Sequence, residues 1–531
     1  MNIYTISFLF LLTFNVSKCQ DSLHMLQQNQ YNDSNNRYVR WLFDNPKSVF
    51  LSLDFISMII ILIAYFLNNS LSNTLILISL IFYLLDNARM INNRKVSRIK
   101  KPLVVTRRVK RLIFTLTILY LLPIVVYLNN KDEGLLLLVI ESIITYFNYI
   151  MVLLAKFINR PSERFVYRYY YTKATMKLDG INDLKVVGVT GSYGKTSAST
   201  ILNSVLSKKY NTRQTPRNLN SINGLMKTIN NQLVKTDEIF IAEMGAYERN
   251  EINKLCGLAK PKYGILTYIG LTNIESYGNL ENLKKTMFTL IDCLPDDGIA
   301  ILNGDDPNQL SYEIKSKCKK IWIGINNKKA DVIAKNIKCS YEGSKFDIVF
   351  KGDKTVYRFE TKLLGNYNIY NILASIALAK ELDIDIKDLV KIVSTIRPIK
   401  SRMELKDYKY MYELDDTYNS NPIGAKMALD VLETMPGVKL VVTPGMVDLG
   451  GKEKHYNRTF GSQIAKVADY VILIGAKRTR PIFDGLLEKE FDHEKIFVVN
   501  HTNDAYALIQ ELKFKDKIYA LFENDLSDIY K

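Results

Sequence analysis

The chain has 531 residues, which at roughly 150 residues per domain predicts three or four folded regions. With 47% hydrophobic and 24% charged residues it is not globally disordered. Its formal charge of +17 would suit nucleic acid only if the surplus were spread over one folded face. Instead Arg89, Arg94, Lys95, Arg98, Lys100, Lys101, Arg107, Arg108, Lys110 and Arg111 crowd one short segment between apolar runs. A membrane surface is therefore the expected partner, and nucleic acid is not.

In chain order, apolar stretches fall at about 3–16, 49–67, 71–85, 112–128 and 135–158. The second and the last read as the comfortably long ones, since nineteen residues at about 1.5 Å each give about 28 Å against a hydrocarbon core of about 30 Å. The first could be a cleaved signal, but cleavage would leave the basic loop and everything after the fifth stretch outside. Five retained spans put that loop and the C-terminal half in the cytoplasm, as the positive-inside rule asks. The expected location is thus the plasma membrane, multi-pass, with the soluble half cytoplasmic.

Residues 159–184 read as a linker. From Lys185 onward short β-rich runs alternate with amphipathic stretches. KVVGVT, EIFIAEM, YGILTYIG and GIAILNG are separated by helix-like segments near 194–208, 248–256 and 280–293. A second set, KLVVTP, DYVILIG, KIFVVN and KIYALFE, follows a break in RPIKSRM. Two α/β domains, 185–400 and 401–531, are expected, the first a doubly wound parallel sheet. Five cysteines without a CxxC pair predict reduced thiols, and four scattered histidines leave any metal to oxygen ligands.

The strongest chemical signal is KVVGVTGSYGKTSAST, in which a strand runs into Gly191, Ser192, Tyr193, Gly194, Lys195, Thr196 and Ser197 and then a helix. Backbone amides and a helix N-terminus cradle phosphate oxygens. Lys195 is placed for the β and γ phosphates and Thr196 for Mg²⁺. Val189 stands where the longer P-loop pattern has glycine.

This shorter TGxxGKT form resembles the ATP loop of the Mur ligases, which join an amino acid or dipeptide to a peptidoglycan precursor. Further segments match in the family's order. IAEMGA resembles the strand whose glutamate, here Glu243, helps hold magnesium. LLGNYNIYNILASIALA resembles the helix whose asparagine, here Asn368, contacts adenine. KSRMEL and DDTYNSNP supply Arg402 and Asp416 for phosphate and ribose, and TPRNLNSINGL resembles a loop of the branch that adds D-alanyl-D-alanine. HMLQQNQYNDSNNRYVRW and the apolar stretches resemble a membrane-attached subfamily. By local chemistry alone Glu243 reads equally as a strand-end acid, Asn368 as a helix cap, and Asp415 and Asp416 as a turn.

The resemblance implies a Mur-type central ATP-binding domain and a Rossmann-like C-terminal domain, ATP and Mg²⁺ as cofactors, and Lys195, Glu243 and Arg402 as the catalytic set. It implies a carboxylate acceptor resembling a muropeptide, lipid-linked or UDP-linked, joined through an acyl phosphate. One stretch departs from the family. Where a histidine and a carbamylated lysine serve a second magnesium, this chain has Asn273 and Met287. An amide carbonyl still ligates magnesium, whereas a thioether is a poor ligand for a hard cation. The rival expectations are an ATP-binding membrane scaffold without ligation and a transporter-like ATPase. The phosphate-loop strand begins so soon after the fifth apolar stretch that a UDP-sugar-gripping domain has no room between them, which favours a membrane-delivered acceptor.

Overall fold

The computed structural model describes residues 2–32, 36–96, 101–217, 219–271, 274–418, 420–512, 514 and 516–526. Arg98 and Lys100 of the basic segment, and Asn273, lie outside them. The chain forms two compact units that divide at Tyr169/Tyr170.

The N-terminal unit is helical. Its helices Ser72–Arg94 and Arg107–Asn129 are long and apolar enough to cross a membrane, with mean hydropathy 1.6 and 2.1. Large apolar side chains such as Phe66 and Phe114 point outward, 77% and 69% exposed. Against the five spans expected, the described residues hold two such helices, or three if a bent pair is one span, and the first, second and last stretches are the ones that differ. The second forms only Leu53–Leu67, 15 residues or about 22 Å, ended by a left-handed Asn68. The last is broken into Lys131–Tyr146 and Asn148–Ile158, bent by 86°. At the break the Ile150 amide donates to Phe147 O, and the carbonyl of Tyr146 instead accepts the Lys18 ammonium at 3.0 Å. A side chain inserted into the helical ladder is an ordinary cause of a sharp kink.

Lys18 belongs to the helix Ile3–Gln28, which runs well past the first apolar stretch. It also makes a buried ion pair with Asp54, whose other oxygen accepts from Ser52. Glu141 accepts from Asn15 Nδ2 at 3.0 Å. The stretch expected as a linker is in large part the helix Arg160–Asp179.

The second unit holds two sheets. Strands β1 (Lys185–Thr190), β2 (Thr212–Gln214), β3 (Ile239–Glu243), β4 (Tyr263–Leu266), β5 (Ile299–Asn303), β6 (Lys319–Gly324), β7 (Val332–Ser340), β8 (Gly343–Phe350) and β9 (Tyr357–Thr361) form the first. Their order is β2-β3-β1-β4-β5-β6-β7-β8-β9. It is parallel through β7, and β8 and β9 extend it antiparallel. Both faces are covered, so the strands read as continuous apolar runs. Val187, Val189, Ile239 and Ile241 enter one core, and Val186, Phe240 and Ala242 the other.

Strands β10 (Glu404–Asp407), β11 (Met411–Asp416), β12 (Val438–Thr443), β13 (Tyr470–Ile474), β14 (Ile496–Val499) and β15 (Ile518–Glu523) form the second sheet, in the order β10-β11-β15-β12-β13-β14. Only the β10 edge is antiparallel. The two α/β domains expected from the sequence are thus present. The phosphate-loop segment leaves the C-terminal end of β1, where β3 and β4 flank it on opposite sides, the switch point at which open α/β sheets bind ligands.

Candidate active site

The loop after β1 is shaped by its glycines. Gly191 has φ +143°, and a Cβ there would stand 2.1 Å from Thr267 Oγ1; Gly194 has φ +82°. The helix Lys195–Leu206 begins directly after Gly194, and no side chain caps it, so its first amides remain available as anion donors. Ser192 is tied to the neighbouring segment by its amide to Tyr268 O at 2.7 Å and by its Oγ, which accepts from Gly270 N at 3.0 Å. Tyr193 stacks on Tyr268 with ring centroids 5.0 Å apart.

Lys195 Nζ donates to Gly191 O at 2.6 Å and Ser192 O at 3.2 Å. Desolvation pushes its ammonium down to about 8, Glu243 opposing and Arg402 adding to the shift. Thr196 Oγ1 donates to Glu243 Oε1 at 3.0 Å, and Asn220 Nδ2 donates to the same oxygen at 2.9 Å. Asn220 comes from the TPRNLNSINGL segment and had no role by sequence alone.

Opposite the loop stand residues at the start of the C-terminal domain. Arg402 lies 4.0 Å over the Tyr418 ring. Asp416 Oδ1 accepts from Met403 N at 3.2 Å, and burial pushes its carboxyl up to about 7 against the pull of Arg402.

These groups share two adjoining cavities. One, of about 110 Å³, is lined by Gly191–Thr196, Asn220, Glu243, Met287, Arg402, Tyr418 and Ser420. The other, of about 70 Å³, is lined by Tyr193, Gly194, Ser197, Tyr268, Tyr370, Asn371, Arg402 and Asp416. Ten of the expected residues, Gly191, Ser192, Tyr193, Gly194, Lys195, Thr196, Ser197, Glu243, Arg402 and Asp416, therefore converge here.

Asn368 does not line either cavity. It is 2% exposed, and its Nδ2 donates back to Leu364 O at 2.9 Å. One helical turn on, Asn371 faces the second cavity with its Nδ2 unpartnered. Tyr370, whose hydroxyl donates to Asp305 Oδ2 at 2.7 Å, lies beside it. The i, i+3 spacing of the two asparagines in NIYN was the available signal, because it places both near one helix face.

The donor set suits a nucleotide with one hard cation. The unpartnered Asn371 amide faces the smaller cavity, and the Thr196 hydroxyl and Glu243 carboxylate are the oxygen ligands magnesium prefers. The position of the second metal ligand does not fit. Met287 is 2% exposed in the cavity wall, its sulfur 3.6 Å from Thr190 Oγ1. Lys284 points elsewhere, to Glu281 and Ser311, and Lys285 is exposed. Among the described residues no group of three or more His, Cys, Asp or Glu side chains is arranged to hold a metal.

Residues 189–379 match the Mur ligase middle domain, and residues 401–520 match the Mur ligase glutamate ligase domain at its C-terminal end. The chain belongs to the Mur ligase family. It is 29% identical over 332 residues to the UDP-N-acetylmuramoyl-tripeptide–D-alanyl-D-alanine ligase of Bacillus subtilis, covering 62% of this chain and 70% of that protein. With the Escherichia coli enzyme of the same name identity is 28%, over 55% of this chain and 64% of that one, so less than two thirds of that relative is spanned. In fold it is similar to MurF from Acinetobacter baumannii, with TM-score 0.61 at 22% identity, over 68% of this chain and 77% of that one. It is also similar to MurF from Thermotoga maritima in complex with ADP, with TM-score 0.60 at 24% identity, over 68% and 80%.

Proposed function

We propose that this Mur ligase family member is a membrane-anchored, ATP-dependent amide ligase that activates a peptidoglycan-precursor carboxylate as an acyl phosphate. The supporting observation is the convergence of Lys195, the Thr196–Glu243 pair and Arg402 with Asp416 on adjoining cavities, from two different sheets. Bound ATP and magnesium would supply the phosphoryl group and neutralise part of its charge. The chain's own residues would do the positioning. The loop amides from Gly191 to Thr196 would hold the phosphates, Lys195 and Arg402 would stabilise charge as it develops, and Asp416 would orient the ribose. Asn371 would meet the base, with Asn368 bracing the start of the same helix.

The two relatives named as D-alanyl-D-alanine ligases support a dipeptide as the amine donor. The apolar helices support a plasma-membrane location with the soluble unit in the cytoplasm. A second reading, an ATP-binding scaffold without ligation, is favoured by Met287 in the cavity wall. Purified protein with ATP, magnesium and matched lipid-linked and UDP-linked muropeptides decides between them by product mass. A new amide formed with ADP and phosphate is expected, fastest on the lipid-linked acceptor. Faster or equal use of the UDP form would remove the lipid-acceptor idea, and no amide with any acceptor would leave the scaffold.

A further inference from the structure

Strands β11 and β15 are neighbours in the second sheet, and their register pairs Asp416 with Glu523 at the C-terminal ends of both. Glu523 is 1% exposed, and its Oε2 has no hydrogen-bond partner. Its Oε1 accepts the hydroxyl of Ser420 at 2.5 Å. Ser420 in turn lines the cavity that holds Lys195, Glu243 and Arg402. A buried carboxyl thus stands directly behind a hydroxyl that faces the reaction space, and nothing in the phosphate chemistry uses either.

Resting on the ligase reading, we propose that Ser420, held by Glu523, receives the attacking amine, and that Glu523 takes up the proton this amine sheds. The nitrogen of the neutral amine bonds to the acyl carbon, the carbon–oxygen bond to phosphate breaks, and inorganic phosphate leaves. The excess proton on nitrogen passes to Ser420 Oγ as the Ser420 hydroxyl proton moves to Glu523. Glu523 is a positioning and proton-accepting group that acts through Ser420.

The charged and titratable groups facing Glu523 are Asp416 on β11, Arg402 before β10, and Tyr367 on the helix Asn366–Glu381. Burial and the Asp416 carboxylate hold the Glu523 carboxyl well above the usual range, with Ser420 and Arg402 opposing. A carboxyl raised in this direction binds a proton more strongly than an ordinary glutamate, which is what a proton-accepting group needs. Amide formation should accordingly rise with pH as the pair ionises.

Two nucleophiles separate this role from support of the fold. Hydroxylamine traps the acyl phosphate as a hydroxamate and needs little help in losing a proton, whereas the native amine needs a base. Glu523→Gln in the full chain is expected to lower amide formation by about 10²-fold or more, with a flattened rise with pH, while hydroxamate formation stays within about threefold. Glu523→Asp should restore part of the amide rate. Ser420→Ala, a smaller change at a half-buried site, should show the same split if Glu523→Gln does not fold. Equal loss of both products in Ser420→Ala and Glu523→Gln, or no loss of amide, overturns the proposal. Absence of both products with the unaltered protein overturns the ligase reading, and this proposal with it.

Discussion

Lys195 is half-buried with its ammonium on two carbonyls of its own loop, and it gives two measurements. Lys195→Ala should abolish ATP-dependent turnover with the fold intact, by about 10²-fold or more, because the lost charge acts mainly in the transition state. Circular dichroism beside a phosphate-release assay checks this, and unchanged turnover would mean the loop is not the phosphate site. With its ammonium pushed down to about 8, Lys195 is cationic below that pH and neutral above it. Nucleotide affinity should therefore hold as pH falls from 8 towards 7 and weaken as pH rises through 8 to 9. A titration of ATP analogue binding, repeated on Lys195→Met, isolates the effect: the variant should lose the dependence.

At the scale of elements, the helix Leu280–Asp292 delivers Met287 to the cavity wall and turns Lys284 away towards Glu281. Activity should need more magnesium than a ligase with both usual ligands. The double change Asn273→His with Met287→Lys should lower that requirement, and an unaltered magnesium dependence would count against an inherited second site. In the helical unit the buried Lys18–Asp54 pair ties the helices Ile3–Gln28 and Leu53–Leu67 to the break at Tyr146. Lys18→Ala leaves Asp54 uncompensated and should cost about 3–5 kcal/mol, whereas removing both charges with Lys18→Met and Asp54→Leu should cost far less. Thermal unfolding in detergent compares the two. A single variant no less stable than the double would show that the pair does not hold the unit together.

At the scale of the whole molecule, the proposed membrane anchoring implies an orientation that has a direct test. The basic segment and the phosphate loop are expected on the same, cytoplasmic side, which requires an even number of crossings between them, Arg107–Asn129 and the bent pair Lys131–Tyr146 with Asn148–Ile158. Single cysteines at Arg98 and Lys131, in a background without the native cysteines, report it. An impermeant thiol reagent on intact cells should label position 131 and spare position 98, and the reverse pattern would overturn the topology.

The sequence alone determined the features whose physics is local. A strand, two glycines, a lysine and a helix start make an anion cradle within a few residues, and alternating apolar runs make parallel sheets, so the loop, both α/β domains and the family were legible. The sequence also exposed the change to Met287. What the tertiary structure decided were contacts between distant segments, which carry no periodic signal. Strand order alone brings Asp416 beside Glu523, about a hundred residues on. The Lys18–Asp54 pair appears only once the first helix is seen to continue past its apolar run, and the bend at Tyr146 only once Lys18 takes that carbonyl. Packing chose Asn371 over Asn368 for the cavity, because a three-residue step leaves the two side chains only about 60° apart on the helix and phase alone does not separate them. Local chemistry is written in consecutive residues, while these pairings depend on which elements end up adjacent.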